Sequence, residues 1–348
     1  MDQMMNCVVK TAPGVGNLEY TQRPIPTIGP REILVRVKAA AICGTDVHIK
    51  HWDPWAAHRL SPPVIIGHEF SGEVAAIGSE VRSVKVGDHV SSESHIACNT
   101  CELCKAGYRH VCPNTSIIGV HQDGAFAEYI AIPEEIAFVC SDPDMPWEEL
   151  ALMEPFGVVV HGMMEYPLMA RTVAIIGAGP LGSMAVLLAK KAGAAKIFVL
   201  EPNQERAEFA RKLGADAVID PRSEDPVTAI KSLTGSHGVD QAVDCAGSIS
   251  GLTAATEYLS PEGKLVCIAI PSQPFTFDLA EFAYRGCVMK GIAGRKMYET
   301  WADIRGILAS GIDLSPIVSH TLPLSAFAQG LELMEQGACC KCILTPTV

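Results

Sequence analysis

The stretch "TVAIIGAGPLGSMAVLLAKKAG", residues 172–193, constrains the fold more than any other. An apolar strand runs into Gly177, Gly179 and Gly182 at G-x-G-x-x-G spacing, and a helix follows to Gly193. Glycines so placed let the strand turn sharply into the helix, whose N-terminus then faces any anion lying in the turn. The rhythm continues. "KIFVLE" reads as a strand and "NQERAEFARKLG" as a helix; "AVID", "VDQAVDCAG" and "KLVCIAI" are further strands with helical segments between them. Continuous apolar strands alternating with helices imply a parallel sheet covered on both faces. Glu201 ends the second strand, nineteen positions beyond Gly182. A carboxylate there accepts hydrogen bonds from adenosine ribose hydroxyls and repels a 2′-phosphate, which favours NAD over NADP. Arg206 lies close in sequence and is the residue that would receive such a phosphate.

The remaining sequence has a different texture. At 348 residues the chain has room for two domains, and 48% hydrophobic with 19% charged residues is a globular composition. The first 150 or so residues read as β-rich: "REILVRVKAAAIC", "FSGEVAAIG" and "VKVGDHVSS" are strands between Gly and Asp turns. Helical stretches follow near residues 301–310 and 325–336, and "KCILTPTV" looks like a strand returning to the first domain. The formal net charge of −12 gives no general attraction to nucleic acid or anionic membranes. The N-terminal residues lack a basic segment followed by an apolar run, and no stretch reaches the roughly 20 apolar residues of a membrane-spanning helix. The expected location is the cytoplasm, where thirteen cysteines are reduced rather than paired.

Two groups of metal-ligand residues stand out. Cys98, Cys101, Cys104 and Cys112 form C-x2-C-x2-C-x7-C. The last gap is too long for a ferredoxin-type run, and four thiolates make a closed tetrahedral zinc site with no position for a substrate. The second group is dispersed: Cys43 in "AICGTDVH", then His68 and Glu69 in "IIGHEFSG". A thiolate, an imidazole and a carboxylate can hold zinc and leave one position open.

In order along the chain, "CGTDVH", "GHEFSGEVAAIGSEV", "VGDHV", the four-cysteine lobe, "MEPFGVVVHG" and "GAGPLG" resemble the zinc-dependent medium-chain dehydrogenase family. "CGTDVHIKHWDPW", "SESHIACNTC" and "GIAGRKMYETW" are most similar to its L-threonine 3-dehydrogenase branch. The resemblance implies an α/β protein: a doubly wound Rossmann nucleotide domain, residues 154–295, and a β-rich GroES-like catalytic domain made of residues 1–153 and 296–348. It implies an active site in a cleft, a homotetramer, NAD, and two zinc ions per chain. Cys43 and His68 would bind the catalytic zinc. Glu69 is either a ligand or exchanges with water, and Glu154 either ligates the zinc or sits beside it and moves protons. Thr45 and His48 fall on the proton relay, His95 and Arg295 on the substrate side. Leu181, Ile268, Ala269, Ile270, Ile292 and Ala293 fall near the nicotinamide. The implied reaction oxidises a secondary alcohol, L-threonine to 2-amino-3-oxobutanoate, with hydride transfer to NAD. A polyol or sugar substrate is the alternative, because Val158 stands where the threonine branch has asparagine. A nucleic-acid-binding zinc protein conflicts with the acidic charge, and a non-catalytic zinc protein would not need all these residues together. Cys339, Cys340 and Cys342 read as variation, not a third metal site.

Overall fold

The computed structural model describes residues 3–271 and 273–346. The chain forms two compact units. One takes the residues up to Pro155 and those from Leu314 onward; the other runs from Phe156 to Asp313.

In the first unit a seven-stranded sheet follows the spatial order Ala137–Val139, His89–Ser92, Glu69–Ile77, Glu32–Ala41, Lys341–Thr345, Val318–Pro323. Its seventh strand, Tyr129–Pro133, also pairs with Glu32–Ala41. The strand Glu32–Ala41 alternates buried and half-buried residues until Ala39, then buries three alanines in a row. Ile33, Val35 and Val37 point into a core shared with Phe70, Val90, Phe126 and Ile132. Each such side chain, once enclosed, contributes about 1.5–3 kcal/mol. The late strand Lys341–Thr345 lies at the heart of this sheet, between Glu32–Ala41 and Val318–Pro323. This is the expected return of the chain, although Thr347 and Val348 of the quoted stretch fall outside the described residues.

The second unit holds six parallel strands in the order Ala217–Ile219, Lys196–Leu200, Thr172–Ile176, Val239–Asp244, Leu259–Cys267, Val288–Gly291. The order reverses direction at Thr172–Ile176, the switch point that opens a crevice at the carboxyl ends of such strands. The expected domain boundary near residue 296 differs from the observed return at Leu314. Helix Glu299–Ala309 buries Trp301 and Ile304, and Ile304 packs against Gly157, inside the second unit. Lys191 also donates to the carbonyl of Ser310. Those contacts carry the segment with the nucleotide half, an attachment that its amphipathic pattern alone does not specify.

Candidate metal centre and dinucleotide cradle

Register brings the dispersed ligands together. Strands Glu32–Ala41 and Glu69–Ile77 are antiparallel with Ala41 opposite Glu69, so Cys43 emerges beside His68. Cys43 caps helix Gly44–His51, donating its amide to Asp46 Oδ2 at 2.9 Å. Gly67 holds a φ of +89°, and a side chain there would run into the ring of Phe126. The turn needs glycine to present His68 at the head of its strand. Ligand atoms of Cys43, His68 and Glu69 all lie within 4.8 Å of one another.

A fourth residue completes the cluster. Lys341 Nζ stands 2.6 Å from Glu69 Oε2, with side-chain exposures of 4% and 1%. Burial works against charge on His68, but Cys43, Asp46 and Glu154 outweigh it and lift the imidazole to about 10. Burial likewise opposes the Lys341 ammonium, yet Glu69 and Cys43 hold it above the ordinary lysine range. Burial pushes Glu69 up, Lys341 pulls it down and Glu154 pushes it up again; the balance is upward. Anions crowded in a dry pocket raise one another's proton affinity when they lack a cation. His68 Nδ1 is also buried without a hydrogen bond. A borderline-soft divalent cation answers both features, and this thiolate–imidazole–carboxylate set fits zinc.

Glu154, at the start of helix Met153–Met163, is buried and close enough to influence His68, Glu69 and Lys341. Ser94 donates to Glu154 Oε1 at 2.5 Å, and its oxygen lies 2.9 Å from His95 Nδ1. The His95 amide donates to Glu93 Oε1 at 3.1 Å. His95 is half-buried, so this chain of groups leads from the buried carboxylate toward the surface. Thr45 Oγ1 lies 3.6 Å from Cys43 Sγ, and His48, one turn on, is exposed. Ser94 and Lys341 were not legible as site residues. A lysine between Cys340 and Cys342 in an otherwise apolar strand is the available signal for Lys341, since such a cation needs a buried partner.

The four-cysteine lobe is closed. Sulfur separations are 3.5 Å for Cys98–Cys112, 3.9 Å for Cys101–Cys112 and 4.0 Å for Cys98–Cys104. Four sulfurs about 2.3 Å from a zinc define a tetrahedron with edges of about 3.8 Å. The amide and hydroxyl of Thr100 draw the Cys98 thiol down to about 5, as a thiolate ligand requires. None of the thirteen cysteines is in a disulfide. Cys339 and Cys342 are buried, and burial pushes Cys342 up to about 12, away from thiolate character.

In the second unit Gly177 has a φ of +87° and Gly179 caps helix Pro180–Lys191. A side chain on Gly182 would strike the carbonyl of Gly177, so the helix packs directly on the turn. Glu201 is buried; one oxygen accepts from Ala178 N at 2.7 Å and the other from Asn203 N at 2.8 Å. Gly177, Gly179, Glu201, Arg206 and Arg222 line a cavity of about 940 Å³. Leu181 is half-buried in the helix, and Ile268 and Ile292 pack over Gly162. Ala269 donates its amide to Asp244, Ala293 is exposed, and Ile270 is 89% exposed. Arg295 is only 2% exposed, its stem against Gly157, so the guanidinium is enclosed within the protein. Val158 is half-buried one position along the same helix.

These features agree with known proteins. Residues 29–142 match the alcohol dehydrogenase GroES-like domain, and residues 180–310 match the zinc-binding dehydrogenase domain. The chain is 45% identical to the L-threonine 3-dehydrogenase of Caldanaerobacter subterraneus subsp. tengcongensis, over 99% of this chain and 100% of that one. Identity to the L-threonine 3-dehydrogenase of Symbiobacterium thermophilum is 42%, with 99% of both chains covered. A zinc-binding dehydrogenase of Sinorhizobium meliloti, solved bound to NADP, superposes with a TM-score of 0.92 at 28% identity, over 99% of this chain and 100% of that one. From the GroES-like half with its metal pocket to the parallel sheet with its glycine turn, the chain belongs to the zinc-dependent, medium-chain alcohol dehydrogenase family.

Proposed function

We propose that the protein oxidises the secondary hydroxyl of L-threonine to 2-amino-3-oxobutanoate, with hydride transfer to NAD and release of one proton. The observation that carries this reading is half-buried Cys43 beside buried His68 and Glu69, three metal-binding groups within 4.8 Å, in a chain 45% identical to an L-threonine 3-dehydrogenase. Cys43 and His68 would hold zinc, with Glu69 or Glu154 as the third protein group. When bound, zinc supplies Lewis acidity that makes the substrate hydroxyl easier to ionise, and NAD supplies the hydride acceptor.

The chain's own residues do the rest. Thr45, beside Cys43, accepts the hydroxyl proton as it passes its own on toward His48, which delivers it to solvent, general-base work at a distance. Ser94 and His95 orient Glu154 toward the metal pocket. Glu201 and the Gly177–Gly182 turn hold the adenosine end of the cofactor. His95, half-buried beside Ser94, is the residue of this set assigned to the substrate side. NAD reduction by zinc-loaded enzyme across a panel of alcohols tests the reading. Turnover of L-threonine in preference to sorbitol, butanediol and inositol supports it; turnover of a polyol without L-threonine overturns it.

We further infer a cytoplasmic homotetramer. Among the described residues no helix is long and apolar enough to cross a membrane. The edge strand Val288–Gly291 leaves Val288 exposed, and in the preceding helix Leu279 and Tyr284 are exposed too, Tyr284 to 90%. Unpaired edges flanked by apolar residues favour pairing with another copy. Light scattering that returns a monomer overturns the assembly.

A further inference from the structure

Asp53 sits just beyond helix Gly44–His51, which carries Thr45 and His48. Trp52 adopts a left-handed backbone, with φ at 52°, and so ends the helix and turns the chain back. The Asp53 amide reaches the His48 carbonyl at 3.4 Å, and Asp53 Oδ2 lies 2.6 Å from His48 Nδ1. Its other oxygen, Oδ1, accepts from Ala56 N at 2.9 Å as the cap of helix Pro54–Arg59. Slight burial acts to raise the Asp53 carboxyl, but the Ala56 amide and His48 hold it below the usual aspartate range. It is ionised at neutral pH.

The turn around this contact is pinned from several sides. Lys10 Nζ stands 4.9 Å over the Trp52 ring. Glu335 of helix Phe327–Glu335 reaches Lys50 at 2.8 Å and His51 at 2.7 Å. The Trp55 ring centre lies 6.3 Å from that of His48, and Arg59 stacks on Trp55. His58 and Glu332 complete the titratable groups on the two helices packed against this one. Asp53 is the group that meets the imidazole.

We propose that Asp53 is the positioning residue of the proton outlet. It fixes His48 with Nδ1 protonated, so that Nε2 is the nitrogen that accepts the proton. The partner of one ring nitrogen decides which tautomer a histidine presents at the other. Nε2 takes the proton arriving through Thr45, the carboxylate stabilises the imidazolium, and Nε2 releases the proton to water from a side chain that is 59% exposed. This inference rests on the relay assigned above to Thr45 and His48.

The test uses zinc-loaded full-length enzyme with NAD and its best alcohol substrate. Asp53→Ser keeps a good helix cap but cannot reach His48; Asp53→Asn keeps the cap and an acceptor for Nδ1–H. Expected is a fall in kcat of roughly ten- to a hundredfold for the serine variant, at or below the lower end of what a positioned general base contributes because His48 is misplaced and not removed, with KM for NAD and alcohol within about twofold of wild type. The asparagine variant recovers most of the loss. Nitrogen NMR of histidine-labelled wild type finds neutral His48 protonated at Nδ1, and the serine variant loses that signature. A neutral His48 protonated at Nε2 in wild type, or a serine variant with unchanged kcat, overturns the proposal. His48→Gln separates the two claims: if it keeps full kcat the relay itself is wrong, while the NMR measurement still judges the role of Asp53.

Discussion

Replacing Lys341 by methionine strikes the buried ion pair with Glu69. At 2.6 Å the gross attraction is about 6 kcal/mol for an effective dielectric of roughly 20. Desolvation of both groups offsets part of this, so the pair is worth less than its Coulomb energy. Removing one partner is different, because Glu69 keeps its charge in a pocket where it is 1% exposed. Breaking such a pair costs about 3–5 kcal/mol. Urea unfolding of metal-free protein, followed by tryptophan fluorescence, measures it, since Trp52, Trp55 and Trp147 all lie in the first unit. The double variant Lys341→Met/Glu69→Gln should recover most of the loss. The Lys341 ammonium is held above its ordinary 10.5, so its contribution is complete below that pH and is lost only as pH rises through the higher folded value. Glu69 is raised from 4.5, so on acidification it takes up its proton early, and the deficit of the methionine variant shrinks there. Added zinc should also narrow the deficit by giving Glu69 another cation. A loss below about 1 kcal/mol at neutral pH, typical of an exposed pair, would refute the reasoning.

Other substitutions test other parts of the site. Ser94→Ala removes a 2.5 Å hydrogen bond to a carboxylate, a loss of about 1.5–3 kcal/mol; expected is a roughly tenfold or larger fall in kcat with KM for NAD unchanged, checked by steady-state kinetics. Cys104→Ala opens the closed lobe: metal analysis should fall from two zinc ions per chain to one, and Tm should drop by roughly 5 °C or more. Glu201→Ala leaves the amides of Ala178 and Asn203 without their acceptor, and the KM for NAD should rise at least about tenfold by titration of the cofactor. Gly67→Ala forces a side chain onto a φ of +89° against Phe126, costing about 3 kcal/mol or more in denaturant unfolding and displacing His68.

Much of this site is written locally. The glycine turn with Glu201 and the four-cysteine lobe each occupy a short stretch, where spacing itself carries the chemistry. Thr45 and His48 entered through the resemblance carried by "CGTDVH", and the meeting of Cys43 with His68 follows from an antiparallel register. Other partnerships depend on tertiary approach. Ser94 becomes meaningful only when helix Met153–Met163 delivers Glu154, and Lys341 arrives on a strand that follows the whole nucleotide unit. Asp53 caps helix Pro54–Arg59, and its second oxygen faces His48 only because Trp52 turns left-handed, which spacing does not show. Arg295 was expected on the substrate side; it is enclosed within its own unit, its stem against Gly157.

The strand Lys341–Thr345 inserts between two strands whose own unit is interrupted by the nucleotide half. On the ribosome, Cys43, His68 and Glu69 therefore emerge long before the lysine that neutralises their pocket. Until that strand docks, the ligand strand has an open flank and an uncompensated carboxylate. Early zinc capture would then serve as a folding clamp that bridges the wait, and a cell short of zinc should accumulate newly made chains whose nucleotide unit is folded while the GroES-like unit remains sensitive to protease.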